Sequence, residues 1–407
     1  MEEIKNKTDR NENNVIVAVK RCSSYDTAEL KEALEGIFKM MGGLENHIRS
    51  AKRILLKPNL LSPTDPSLAV TTHPDFIEAV IHAIKKARGD NCNIIIADSP
   101  GVSTPHTRKD LKNLYKVCGL LPLEKIKGVT LNLDTSFSKA HFKDAKVLKQ
   151  LEIINPVLDA DFVINLPKFK THSLTRVSGA VKNMYGTIHG RTKTLLHAKF
   201  IDIEQFNDML LDVYLANIPG INIMDGILGL EGEGPGASGK PRHTGLILAG
   251  TNAIAVDSVM ASIMGFESSS IPLIRCAEAR GLPGAGPGDI EIWGGSIEEF
   301  KIADYRRPRS NPLDTISKSR FLKSYVFPFI RNTLSLSPYQ NKAKCTMCNT
   351  CIEICPEKAV IAGKEKLIFD YKKCIRCFCC SEMCQYGAVD LKYSFLGNLI
   401  FGRKKVK

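Results

Sequence analysis

The stretch HPDFIEAVIHAIKKARGDNCNIIIADS, His73 to Ser99, holds the fold in miniature. Its first half reads as an amphipathic helix, with Pro74 in the first turn, where a missing N–H is harmless, and Gly89 just past the end. Its second half, NIIIADS, is apolar on both faces, which suits a strand covered on two sides. The same alternation recurs from residue 15 to residue 300. VIVAV (15–19), RILLKPN (53–59), DFVINLPK (161–168), INIMDG (221–226) and GLILAG (245–250) read as strands, and AIAVDSVMASIMG as a helix closing on Gly265. Apolar strands alternating with helices predict an α/β architecture, a doubly wound and mostly parallel sheet.

The chain has 407 residues, 43% hydrophobic and 24% charged, enough for two or three domains with a sizeable core. Its first residues, MEEIKNKTDRNENN, carry mixed charge and no apolar run, so a cytoplasmic address is expected. The longest apolar stretch, TGLILAGTNAIAVDSVMASIMGF, is interrupted by Asn252, Asp257 and its glycines and reads as a strand and a helix, not a membrane span. The pattern divides into a flexible terminus (1–14), an α/β domain (15–300), a basic proline-containing linker (301–341), a cysteine-rich domain (342–392) and a tail (393–407) that is half apolar and half basic.

Thirteen cysteines are present, and nine lie between Cys345 and Cys384. CTMCNTCIEICP (345–356) and CIRCFCCSEMCQ (374–385) each place four thiols at C-x2-C-x2-C-x3-C spacing, offset by 29 residues. Such crowding in a cytosolic chain points to metal, and zinc sites favour two C-x-x-C pairs parted by a longer loop. The spacing is that of bacterial proteins holding two 4Fe-4S clusters, and about 50 residues here resemble such a two-cluster ferredoxin. The resemblance implies a small ferredoxin-like α+β iron-sulfur domain after the α/β domain. It gives one cluster to Cys345, Cys348, Cys351 and Cys384, and the other to Cys374, Cys377, Cys380 and Cys355. Gln385 stands where a second proline is expected, and Cys379 is extra. Cys22, Cys92, Cys118 and Cys276 are scattered and read as buried thiols.

The net charge of +13 is uneven. Residues 1–300 carry 35 basic and 35 acidic side chains, residues 301–340 carry 8 and 2, and residues 341–407 carry 13 and 6. Thiolates around two oxidised clusters add about four negative charges, so part of the C-terminal excess is compensation, and no nucleic-acid partner is expected. Arg306, Arg307, Arg309 and the tail Arg403, Lys404 and Lys405 could meet an acidic redox partner protein or a membrane surface; a solvated tail is the favoured reading over peripheral membrane contact.

In open α/β sheets ligands bind outside the carboxyl ends of the strands. There stand Lys57 and Asn59, Asp98 and Ser99, Lys168 and Lys170, and Asp225. Asp98 and Ser99 also suit helix caps. Residues 162–201 contain seven Lys or Arg and three His without one Asp or Glu, which suggests that a bound anion supplies the compensating charge. His172, Lys182 and Tyr185 are candidates for proton transfer, and Lys168, Lys170 and Arg176 for holding a carboxylate or phosphate. GLEGEGPGASGKPRHTG (229–245) almost spells a phosphate-binding loop, but Pro241 replaces the magnesium-binding hydroxyl and a strand follows, so it reads as a mobile cover or anion nest with Glu231 and Glu233 as acid/base or metal groups.

LLKPN (55–59), NLPKFKTH (165–172), SGAVKNMYG (178–186), MDGILGLEGEGPGASG (224–239) and NAIAVD (252–257) resemble the family catalogued as domain of unknown function 362, over residues 15–300. The resemblance implies an iron-sulfur protein with a redox role. The expectation is therefore an oxidoreductase in which two 4Fe-4S clusters exchange electrons with an anionic small molecule held by Lys57, Asn59, Lys168, Lys170, Asn183 and Glu231, with His172 and Lys182 as catalytic groups. A non-catalytic electron carrier or cluster-handling protein, its large domain binding a partner, is the alternative.

Overall fold

In the computed structural model, which describes residues 2–3, 15–101, 106–309, 335–394 and 398, a ten-stranded sheet forms the centre of the large domain. Its strands are β1 (Val15–Arg21), β2 (Arg53–Pro58), β3 (Asn93–Ile96), β4 (Val129–Leu131), β5 (Phe162–Leu166), β6 (Lys168–His172), β7 (Arg176–Ser178), β8 (Ile221–Gly232), β9 (Gly239–Gly250) and β10 (Ile290–Trp293). They lie in the order β10-β1-β9-β8-β5-β2-β3-β4, with β6 beside β8 and β7 on β6. From β8 through β5, β2 and β3 to β4 every pairing is parallel, whereas β9 runs antiparallel to both neighbours. The result is an α/β domain on a mostly parallel sheet.

Alternate residues of each central strand enter different cores, which is why these strands are apolar on both faces. Ala18, Ile54, Leu56, Ile247 and Ala249 pack with α1 (Thr27–Met40), α2 (Pro74–Arg88) and α3 (Arg108–Val117). Val17, Val19, Leu55, Leu246 and Leu248 pack on the other side with α4 (Ala180–Asn183), α5 (Gly190–Lys199), α6 (Ile203–Ala216) and α7 (Ala253–Ile263). Each fully buried Ile, Leu or Phe here contributes about 1.5–3 kcal/mol relative to exposure. As expected, α2 starts at Pro74 and stops before Gly89, whose φ of 61° an L side chain rarely adopts. Cys22, Cys92, Cys118 and Cys276 are all buried.

Two expectations change. DFVINLPK is not one strand: Pro167 has no N–H to donate, so β5 ends at Leu166 and β6 begins at Lys168 against β8. The glycine-rich stretch is not a mobile cover. Most of it is the β8–β9 hairpin, paired as far as Gly232 with Gly239. Its glycines admit backbone where a side chain would collide, since a Cβ on Gly229 would lie 2.9 Å from the Phe169 carbonyl oxygen.

The cysteine-rich part consists of β11 (Leu336–Gln340), α8 (Thr350–Glu353), β12 (Val360–Ala362), β13 (Leu367–Phe369), α9 (Cys379–Glu382) and β14 (Val389–Tyr393). β11 pairs with β14 and β12 with β13, both antiparallel. The 29-residue repeat is also conformational: left-handed backbone occurs at Met347 and Arg376, at Asn349 and Phe378, and at Lys358 and Gly387. For a side-chain-bearing residue this costs about 1–2 kcal/mol, so a local constraint must hold it. The apolar run SYVFPFI (324–330), the basic tail and most of the first 14 residues lie outside the described residues. Among the described residues no helix is long and apolar enough to cross a membrane.

Candidate functional site

The strand ends carry two buried ion pairs. Lys57 Nζ lies 2.7 Å from Asp98 Oδ1, and Lys168 Nζ lies 2.6 Å from Asp225 Oδ2. Asp225 also accepts from the Tyr25 hydroxyl at 2.8 Å and the His73 amide at 3.0 Å. Lys168 is therefore committed to the framework and does not line the cleft beside it, contrary to its expected role as a ligand-holding cation. Lys57 sits behind the cleft, its charge matched by Asp98.

The cleft lies where the cysteine-rich part meets the strand ends. From the large domain come Asn59, Lys170, Lys182, Asn183, Lys193 and His197; from the cysteine-rich part come Cys379, Glu382 and Met383. A chain of amides sets its floor. Asn165 donates to Asn222 Oδ1 at 2.8 Å, Asn183 to Asn165 Oδ1 at 2.7 Å, and Asn59 to Asn183 Oδ1 at 3.0 Å; Lys170 Nζ then donates to Asn59 Oδ1 at 2.7 Å. Each amide's orientation is thus fixed by its neighbour, and Lys170 is held in place. Asp257, from the NAIAVD motif, accepts the Ala180 and Val181 amides and so caps α4, which presents Lys182 and Asn183.

The cleft's cations are held away from their usual states. Burial, and after it the charge of Lys182, keeps Lys170 well below the usual lysine range; burial also lowers Lys182, opposed by Glu382. Burial pushes Lys193 down to about 7 and His197 down to about 4. A lysine depressed from 10.5 to about 7 binds fewer protons folded than unfolded across that window. Its penalty is therefore full below pH 7 and is relieved as pH rises towards the unfolded value. Without a ligand, the thermal midpoint should rise between about pH 7 and 9, and Lys193→Met should flatten that rise. Equal slopes in both proteins would place the pH dependence elsewhere.

His172, expected to act on the ligand, is closed off. Its Nδ1 accepts the Leu174 amide at 3.0 Å and the Thr175 amide at 3.3 Å, so the ring proton sits on Nε2, 3.0 Å from Glu382 Oε1. Burial lowers its pKa to about 4, and it joins the two parts of the chain instead of lining the cleft. Burial would raise the Glu382 carboxyl, but His172 and then Lys182 outweigh it and hold the group below the usual range.

Glu231 is also absent from the cleft. It accepts the Arg306 amide at 3.0 Å and pairs with that guanidinium at 3.4 Å; Glu233 does the same for Arg309, at 3.0 and 3.6 Å. Arg307 lies over the Phe266 ring at 5.2 Å. The two acids therefore anchor the start of the linker, and Arg306, Arg307 and Arg309 are engaged within the chain. The hairpin turn is the seam between the parts: a Cβ on Gly236 would lie 2.2 Å from the Glu382 carbonyl oxygen.

The cysteines of the two runs approach one another in space. Cys355, Cys374, Cys377, Cys379 and Cys380 line one small cavity. Burial first, and then the neighbouring charges of Cys384, Cys348 and Cys345, push the Cys351 thiol up to about 11. The Ala359 and Ala388 amides, 29 residues apart, donate to Cys355 Sγ and Cys384 Sγ, each at 3.2 Å. Among the described residues no three His, Cys, Asp or Glu converge on a point fit for a single metal ion. A four-iron cube stands between its thiolates, so ligands ringing a cavity suit it. Cys379 lines both this cavity and the lysine-bearing cleft.

Sequence reasoning missed Lys193, His197, Glu382 and Met383 as cleft residues. The two former were legible in the acid-free stretch, four apart on one helical face; the two latter lie inside a cysteine run and gave no separate signal.

The family described as Domain of unknown function (DUF362) matches residues 54–262, just over half of the chain, and the chain belongs to that family. It is similar to a thylakoid-associated protein of Synechocystis sp., with 28% identity over 337 residues covering 80% of this chain and 99% of that protein. Among solved structures, the lactate racemase apoprotein from Thermoanaerobacterium thermosaccharolyticum has a TM-score of 0.38 and 16% identity, covering 60% of this chain and 55% of that one. A Thermotoga maritima protein has a TM-score of 0.37 and 12% identity, covering 65% and 61%. The chain spans less than two thirds of both solved structures, and neither likeness carries an argument about function.

Proposed function

We propose that the protein is an iron-sulfur oxidoreductase in which two 4Fe-4S clusters exchange electrons with an anionic small molecule bound in the strand-end cleft. The observation that carries this reading is the position of Cys379, which forms part of the wall of both the cysteine cavity and the cleft. Cys345, Cys348, Cys351 and Cys384 would hold one cluster and Cys355, Cys374, Cys377 and Cys380 the other; when bound, they supply single electrons. Lys170 and Lys182 attract the anion, while Asn59 and Asn183 orient Lys170. Lys182 and Glu382 line the cleft and interact electrostatically, so they are the pair placed to move a proton at the ligand.

The exposure of Cys348, with exposed Lys342 and Lys344 nearby, favours a second reading: an electron carrier whose partner is a redox protein. Turnover of an anionic acceptor supports the enzyme, whereas electron exchange with a partner protein alone supports the carrier. The proposed address is the cytoplasm. The thylakoid association of the cyanobacterial relative makes peripheral membrane contact the alternative, and cell fractionation separates the two.

Protein purified without oxygen should be brown, contain about eight irons per chain and, once reduced, show the paramagnetic signature of two interacting clusters. Stoichiometric zinc without iron would overturn the assignment.

A further inference from the structure

We propose that the charged end of the cleft ligand is a dianionic oxyanion group, either a phosphate monoester or a pair of carboxylates. This inference deepens the reading of the cleft as an anion site and rests on it.

Two independent counts lead there. The first is charge. Lys57 is matched by Asp98, and Lys168 lies outside the cleft on Asp225. Lys170, Lys182 and Lys193 remain against Glu382, so full protonation on ligand binding sets three cations against one anion, an excess of two positive charges. Buried charge is costly unless paired, so a neutral or singly charged ligand would leave part of that excess uncompensated.

The second count is of donors, three N–H on each ammonium. Lys170 gives two, to Asn59 Oδ1 at 2.7 Å and the Val70 carbonyl at 3.0 Å. Lys193 gives two, to the carbonyls of Ser99 and Pro100. Among the described residues Lys182 has no hydrogen-bond or ion-pair partner, so five N–H remain. Ser99 Oγ and His197 Nδ1 also line this cleft, and both are buried without a hydrogen-bond partner. Nearly all buried polar atoms in proteins are partnered, so Ser99 Oγ and His197 Nδ1, together with the five N–H, match a group with two charges and three or more acceptor oxygens. Negative charge on the neighbouring cysteine cavity is the rival compensation, yet no lysine lines that cavity.

The test uses the intact brown protein with its iron counted, and titrates inorganic phosphate, malonate and chloride at constant ionic strength while following the thermal midpoint and the heat of binding. Phosphate or malonate should bind saturably with uptake of protons, and chloride should not; whichever dianion saturates at the lower concentration identifies the source. Lys182→Met and Lys193→Met, which remove charge without opening space, should each weaken that dianion roughly ten- to a hundredfold. Protection by chloride equal to that of both dianions would overturn the proposal. So would lysine variants that bind dianions normally but shift the reduction potential, because the lysines would then compensate the cluster. Saturable dianion binding by protein that holds stoichiometric zinc and no iron would leave this inference standing and overturn the iron-sulfur reading alone.

Discussion

Replacing Cys374 and Cys377 together by Ser is expected to lower bound iron from about eight to about four per chain and to abolish reductive turnover of the cleft ligand. Both residues line the cavity that shares Cys379 with the cleft, so their loss removes the site nearest the ligand. The remaining set, Cys345, Cys348, Cys351 and Cys384, should still take up iron and show the signal of one isolated cluster. The mirror variant, Cys345 and Cys348 to Ser, should retain turnover when a small-molecule reductant is supplied, because it leaves the cavity beside the cleft intact. Full turnover in the first variant and none in the second would place the exchange with ligand at the exposed Cys348 side and contradict the proposed arrangement.

Asp225→Ala is expected to produce the largest loss of stability of any single change at the strand ends, about 3–5 kcal/mol. Asp225 is fully buried, and its carboxylate receives the Lys168 ammonium at 2.6 Å, the Tyr25 hydroxyl at 2.8 Å and the His73 amide at 3.0 Å. Removing it strands an ammonium that has no access to water, with the Tyr25 hydroxyl, 3.0 Å away, as its one remaining hydrogen-bond partner among the described residues. Adding Lys168→Met should recover much of the loss, because the double variant replaces an unpaired charge by apolar volume. Denaturant unfolding of the single and double variants measures this directly; additive losses would show that the pair is not the source. Dianion binding should survive in the double variant, since Lys168 does not line the cleft.

The architecture was legible locally because its causes are local. The strand NIIIADS is apolar on both faces because both faces are covered, and α2 carries its own start and stop in Pro74 and Gly89. The two C-x2-C-x2-C-x3-C runs were legible for a similar reason, since spacing within a run is a property of the chain itself. The acid-free stretch likewise marked the cleft, to which it contributes Lys170, Lys182, Lys193 and His197.

What only the tertiary structure decided is which of these groups remain available. Lys168 and Lys170 are two residues apart on one strand, yet Lys168 is neutralised by Asp225, 57 positions away, while Lys170 rests on an amide of Asn59 and faces the cleft. Glu231 looked like an acid at a loop, but the hairpin turns it to the linker's Arg306. Glu382 lies 210 positions from His172 in sequence and 3.0 Å from it in space. Charge pairing between distant segments depends on how they pack, and it leaves no periodicity or spacing in the chain. The amino-acid sequence by itself therefore determined the elements and the two cysteine runs, and the packing of the cysteine-rich part on the strand ends decided the cleft.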